Sequence, residues 1–298
     1  MSFSSEVKAE LCRVPISGKC CAVAECYGIL MYGNTFSNSM IKIITESRPF
    51  AKRLPKLFKA AFGFSLHSQE SSSASGKLIF TLTERDKLDR IFDTYGYDIN
   101  TALAHHINFG VLEDDCCRKS FARGAFLAGG SVTDPEKRYH LELVTDHYNV
   151  SREACAILPE LGFTPKTTDR NGHYIIYFKH SDVIADLLTT IGAPVAAMNI
   201  INVKIEKNMT NTVNRKVNCD TANVSKTVDA AQQQIDAIKK LTASGKLSEL
   251  PPKLRETARL RREYPELSLR ELAELTDPPV TKSCLNHRLR KLVELGSE

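Results

Sequence analysis

Apolar positions recur along this chain with two periods, and the change from one to the other divides it into elements. Near the start Phe3, Val7 and Leu11 stand at i, i+4 and i+8, the spacing of one helical face over residues 1–13. A helix rich in small and apolar residues is expected over 20–33, and an apolar, β-rich run over 40–45. A helix over 49–62 then opens on a proline, which suits a first helical turn. After Gly63, strands are expected over 64–70 and 77–83, separated by the polar tract SSSASG over 71–76, a turn with spare length. A helix over 84–95 closes this stretch. The same succession returns as helix 116–129, strand 139–145, helix 151–161, strands near 163–168 and 173–179, and helix 181–191. Asn171-Gly172 stands where a tight hairpin turn belongs.

The repetition extends to single residues. KCCAVAECYGILMYGNTFS over 19–37 lies over DCCRKSFARGAFLAGGSVT over 115–133 at an offset of 96 positions. That offset pairs Cys20 with Cys116, Cys21 with Cys117, Gly28 with Gly124 and Gly33 with Gly129. It also pairs Asp86 with Asp182 and Gly96 with Gly192, while Gly63-Phe64 meets Gly162-Phe163 after a shift of three more residues. The first 200 residues are therefore an internal duplication, with copies of about 19–96 and 115–192, each reading α-β-β-α-β-β-α. One helix per copy rich in small residues predicts two-fold pseudo-symmetry with those helices in contact. Gly124, Ala125, Ala128 and Gly129 would let backbones approach closely, while Tyr32, opposite Ala128, makes the first copy bulkier.

The pattern changes after residue 200, where 201–245 reads as a linker and a helix. The basic, asparagine-rich string NRKVNCDTAN over 214–223 suits turns and caps. Val224, Val228, Ala231, Ile235, Ile238 and Leu241 then form a one-sided stripe expected to pack on a neighbouring domain, and Gly245 ends the helix. Residues 246–298 read as a small all-α domain. A first helix over 252–263 carries Arg255, Arg259, Arg261 and Arg262. Ser268 opens a second, with Glu271 completing a capping box and Leu269, Leu272, Ala273 and Leu275 as its buried face, and Asp277-Pro278-Pro279 stops it. A third helix starts near Thr281 with Leu285, Leu289 and Leu292 as its inner stripe.

Lys282, Ser283, Asn286, His287 and Arg290 then lie on or beside the outward face, flanked by Arg288 and Lys291. Between Val280 and Leu292 there are four cations and no acid. A helix, a short turn and a basic, polar-faced helix make the pattern of a helix-turn-helix DNA reader. Its donors suit base edges, Lys and Arg for guanine and Asn for adenine, while neighbouring cations hold phosphates, and Ser268 and Thr281 at the helix starts are further candidate DNA contacts.

Composition narrows this picture only a little. With 42% hydrophobic residues in 298 the chain can bury real cores, and the net charge of +5 is compatible with a polyanionic partner. No stretch reaches the roughly 18 apolar residues of a membrane span, and a cytoplasmic location is expected. Nine cysteines, an odd number including two adjacent pairs, make a poor disulfide framework. There is no CxxC, so no metal site or cofactor is expected, and the adjacent cysteines read as small buried side chains facing different ways. A second basic run, Arg48, Lys52, Arg53, Lys56 and Lys59, could meet phosphates or be a solvated helix face. The equivalent helix of the second copy carries Arg152, Glu153 and Glu160, so the charge is lopsided.

The segment FARGAFLAGGSV resembles the motif of LAGLIDADG homing endonucleases, a resemblance covering residues 19 to about 192. It implies paired motif helices between two saddle-shaped antiparallel sheets. In those nucleases the last acidic residue of each motif holds the divalent metal that activates water, chemistry that needs hard oxygen ligands. The matching positions here are Gly33 and Gly129, which offer none. The nearest acids, Glu25, Asp134 and Glu136, do not pair between the copies.

The degenerate duplication, the string NRKVNCDTAN and the C-terminal LSLRELAELTDPPVTKSCLNHRLRKL together resemble the WhiA family of bacterial transcription regulators over nearly the whole chain. The resemblance implies an α+β duplicated domain followed by a helix-turn-helix, binding double-stranded DNA without cutting it. It also implies a nucleoid-associated role in cell division, chromosome organisation or sporulation, with another transcription regulator or a sigma factor as partner. The competing readings are an active endonuclease using Glu25 or Asp134 and a protein-interaction scaffold whose basic helix docks on an acidic partner.

Overall fold

The duplication is built as two four-stranded antiparallel sheets of identical topology. The computed structural model describes residues 2–70, 76–101 and 105–297 and divides into two units, Met1–Lys207 and Asn208–Glu298. In the first unit α1 (Phe3–Leu11) precedes the first copy: α2 (Lys19–Met31), β1 (Thr35–Phe36), β2 (Ile41–Thr45), α3 (Arg48–Phe62), β3 (Ser68–Glu70), β4 (Leu78–Leu82) and α4 (Arg85–Tyr95). The second copy comprises α5 (Asp115–Gly129), β5 (Gly130–Val132), β6 (Leu141–Thr145), α6 (Tyr148–Glu160), β7 (Lys166–Arg170), β8 (His173–Phe178) and α7 (Ser181–Ile191). The strand orders are β1-β2-β4-β3 and β5-β6-β8-β7.

Register follows burial. Ile41 and Ile43 turn inward while Lys42 and Ile44 stay partly exposed, and Leu141 and Leu143 repeat this beside Glu142 and Val144. A one-residue slip would put the wrong set on the core face. The copies differ where length can be absorbed outside the core, with eight residues joining β5 to β6 where four join β1 to β2. Asn171 and Gly172 both take positive φ, as a tight hairpin requires, whereas the serine tract of the first copy falls at 71–75, outside the described residues. Gly96 and Gly192, equivalent under the duplication, both end their helices in the left-handed region, at φ 72° and 107°.

The glycines of the motif bring α2 and α5 into backbone contact. A Cβ on Gly28 would lie 2.1 Å from the Phe121 carbonyl oxygen, and one on Gly124 would lie 2.1 Å from that of Glu25. Residues 28 and 124, and 25 and 121, are equivalent under the duplication, so the contact is itself two-fold. α2 is buried nearly all round, with Ala22, Ala24, Cys26, Tyr27, Ile29 and Met31 fully enclosed.

Two expectations change in this unit. Arg53, taken with the basic run of α3, is buried, and only Arg48, Lys52, Lys56 and Lys59 of that run are exposed. The adjacent cysteines are not uniformly buried either, since Cys21 and Cys117 are enclosed while Cys20 and Cys116 are exposed. Cys20 and Cys116 lie in the first turns, where Lys19 and Asp115 are exposed too and only one side of each helix is covered, so neighbours about 100° apart divide between core and surface.

In the second unit the end of α8 (Pro194–Ala243) packs with α9 (Pro252–Glu263), α10 (Leu269–Glu274) and α11 (Lys282–Ser297). Its core is Ile238, Leu241, Leu254, Ala258, Leu260, Leu272, Ala273, Leu285, Leu289 and Leu292. The string 214–223, expected to form turns and caps, is helical throughout, because between Pro194 and Gly245 there is neither proline nor glycine to break α8. Only the lower part of its stripe is covered: Ala231, Ile238 and Leu241 are buried, whereas Val224 and Val228 are exposed. Leu275, expected inside, caps α10 and is exposed, and Thr276 is buried in its place.

Candidate nucleic-acid interface

The basic helix of the second unit is held by the caps and core that its sequence encodes. Ser268 accepts a hydrogen bond from the Glu271 amide (3.4 Å) and donates its own amide to Glu271 Oε2 (2.8 Å), the two halves of a capping box. Hydrogen bonds from the Ser268 side chain and backbone amide hold the Glu271 carboxyl below its ordinary pKa. The turn into α11 is fixed by the Thr276 hydroxyl donating to the carbonyls of Ala273 (2.9 Å) and Pro278 (3.1 Å), and by the Val280 amide donating to Ala273. Thr281 accepts from the Cys284 amide (3.3 Å) and so caps α11.

Leu285, Leu289 and Leu292 point α11 into the core, which sets the direction of every other side chain on it. Lys282, Ser283, His287, Arg290 and Lys291 are exposed, and Asn286 and Arg288 are half-buried on the shoulders. Of the two residues expected to flank the face, Lys291 is exposed and Arg288 half-buried. Glu294 ends the acid-free stretch one turn on. On α9, Arg255, Arg259 and Arg262 are exposed, with Arg259 paired to Glu263 at 3.0 Å. Arg261 is a strut: its Nε donates to Gln234 Oε1 of α8 (2.9 Å) and its Nη1 to the Leu267 carbonyl (2.8 Å). Its burial was not visible from the sequence, because the glutamine that receives it lies 27 residues away.

At the other candidate centre the geometry leaves no room for a carboxylate. A Cβ on Gly129 would meet the Val144 carbonyl oxygen at 2.4 Å and the Tyr32 ring at 3.1 Å, and one on Gly33 would meet the Ile29 oxygen at 2.7 Å. Glu25 is committed elsewhere. Its two oxygens accept from Arg53 (2.6 and 2.8 Å) and one also from Arg123 (3.0 Å), all three side chains being buried. Four further guanidinium hydrogens reach the carbonyls of Cys12, Val14 and Ile191 and the Ser120 hydroxyl. Asp134 accepts from the Glu136 amide in the β5–β6 loop (3.0 Å).

Residues 213–296 match the family described as the WhiA C-terminal HTH domain, and residues 118–210 match the WhiA LAGLIDADG-like domain. A probable cell division protein WhiA of Ruminiclostridium cellulolyticum is 39% identical over 304 residues, covering 99% of this chain and 97% of that protein. The chain belongs to the WhiA family. A second WhiA, from Alkaliphilus metalliredigens, is 36% identical over 320 residues, covering 99% and 98%. The crystal structure of full-length DUF199/WhiA from Thermatoga maritima has a TM-score of 0.62 at 25% identity, covering 100% of this chain and 98% of that one. The WhiA assignment fixes the class as an α+β LAGLIDADG-like domain followed by a helical helix-turn-helix. No described helix is long and apolar enough to cross a membrane.

Proposed function

We propose that this WhiA protein is a cytoplasmic, nucleoid-associated transcription regulator that binds double-stranded DNA in a sequence-specific way and cuts nothing. The observation that carries this reading is the face of α11: exposed Lys282, Ser283, His287, Arg290 and Lys291 with Asn286 and Arg288 at its edges, and no acid before Glu294. Such a face supplies bidentate donors for guanine and adenine edges and cations for phosphate. Ser268 and Thr281 contribute through their positions at helix starts, where backbone amides face a phosphate. The curated relatives are named for cell division, and we assign this chain to the same process, acting on genes or on chromosome organisation and sporulation. The duplicated domain serves as a scaffold for DNA contacts or for another transcription regulator or sigma factor. Loss of cleavage is supported by Gly33 and Gly129, where a Cβ would strike backbone, and by the double pairing of Glu25.

Genome-wide footprinting of the full chain tests the reading. A recurrent sequence under the protected sites is expected. Protection without a common sequence, disappearing as salt is raised, would reduce the domain to a non-specific polyanion binder.

A further inference from the structure

The four cysteines that the duplication writes at the start of each motif helix meet in space. Adjacent side chains on one helix diverge, so neither pair alone surrounds a point. The crossing of α2 and α5 makes them converge. The Sγ atoms of Cys20, Cys21 and Cys116 lie within 4.8 Å of one another, and those of Cys116 and Cys117 are 3.9 Å apart. The Cys21 thiol also points to the Cys116 carbonyl oxygen at 3.9 Å. A tetrahedral zinc–thiolate centre with bonds of about 2.3 Å needs sulfurs roughly 3.8 Å apart, so Cys117, already beside Cys116, must turn toward Cys20 and Cys21 to close the tetrahedron. A four-iron, four-sulfide cluster, in which each thiolate takes its own iron, would need them wider.

The surroundings favour the thiolate form on the accessible side. Burial is the largest single influence and raises the pKa of the Cys20 thiol, but the neighbouring cysteines together outweigh it, and the net shift is downward. Burial pushes the Cys21 thiol up to about 11 and the Cys117 thiol up to about 12. Both helices begin here, at Lys19 and Asp115, and present the positive ends of their dipoles to the sulfurs. Asp114, at the N-cap of α5, makes no capping hydrogen bond with its side chain. Its carboxylate lies within 4.8 Å of the sulfurs of Cys116 and Cys117. Exposed Cys20 and Cys116 leave an entry path, while Cys21 and Cys117 form a closed floor.

We propose that Cys20, Cys21, Cys116 and Cys117 hold one zinc ion, which ties the first turns of the two motif helices together at the end opposite Gly33 and Gly129. Zinc fits because it is soft enough for an all-sulfur set, has no redox chemistry and accepts tetrahedral geometry. Binding forms four Zn–S bonds and releases the thiol protons to solvent, so affinity falls as pH falls.

The test uses the full chain purified under reducing conditions without chelator, with metal measured by mass spectrometry. About one zinc per chain is expected, falling at least tenfold in the Cys20→Ser/Cys116→Ser protein. Those two positions are exposed, so the change opens no cavity in the core. Cys219→Ser and Cys284→Ser, exposed cysteines outside the cluster, should keep the metal. Cobalt(II) titrated into the chelator-treated protein should give thiolate charge-transfer absorption with tetrahedral visible bands, both lost in the double variant. Zinc should raise the melting temperature of the parent protein and not of that variant. Metal-free protein with no cobalt spectrum, zinc kept by the double variant, or a disulfide between the two pairs in place of metal would each overturn the site.

Discussion

Glu25 sits between two guanidinium groups with less than 2% of its surface exposed, so changing its charge and changing its size have different effects. Glu25→Gln keeps the volume but leaves Arg53 and Arg123 buried without a counter-charge. Removing one partner of a buried ion pair costs about 3–5 kcal/mol, and denaturant unfolding of the variant should show a loss of that order. A loss below about 1 kcal/mol would show that the carbonyls of Cys12, Val14 and Ile191 satisfy the arginines alone. On α11 the side chains separate into two kinds of contact. Arg290→Ala should weaken binding to the preferred site by about 1–3 kcal/mol while leaving random DNA nearly unaffected. Lys291→Ala should weaken both alike and reduce the slope of log K against log salt by about 1. Gel-shift titrations at several salt concentrations separate these outcomes, and identical behaviour of the two variants would remove Arg290 from the readout.

At the level of elements, the α2–α5 contact is where the motif matters. Gly124 costs α5 about 1 kcal/mol of helix propensity relative to alanine. A Cβ there, however, would lie 2.1 Å from the Glu25 carbonyl, a backbone atom that cannot swing aside. The collision outweighs the propensity, so Gly124→Ala should lower the melting temperature by the equivalent of about 1–3 kcal/mol, the range for overpacking. Unchanged or raised stability would mean that the helices separate at little cost. In the second unit the capping box and the leucine stripe act together: the caps set where α10 and α11 begin, and the stripe sets which way each faces. The basic surface follows from those two constraints.

For the whole molecule, the end of the helix pair that carries cleavage in the nucleases resembled here is closed by backbone. Restoring an acid by Gly129→Asp should therefore not restore cutting, because its Cβ would fall 2.4 Å from the Val144 oxygen. Plasmid incubated with the parent protein or this variant and magnesium or manganese should stay supercoiled; metal-dependent nicking by either would restore the nuclease reading. Most of this architecture was legible in the sequence. The helices and longer strands were set by apolar periods and caps acting over a few residues, and the duplication by paired glycines and cysteines. β1 and β5, counted in the α-β-β-α-β-β-α order, could be given no residues because strands of two and three residues carry no period, and only the later part of α8 was read as helix because asparagines signal turns only where a breaker accompanies them. The sequence by itself determined the elements, their order and the outward face of α11, since each depends on neighbours three or four residues apart. Only the tertiary structure decided that Arg53, Arg123 and Arg261 are struts, that Glu25 is spent between two of them, and that the sulfurs of Cys20, Cys21 and Cys116 converge with Cys117 beside them. Each of those depends on a partner tens of residues away, and the crossing of two helices written 96 residues apart makes the last of them possible.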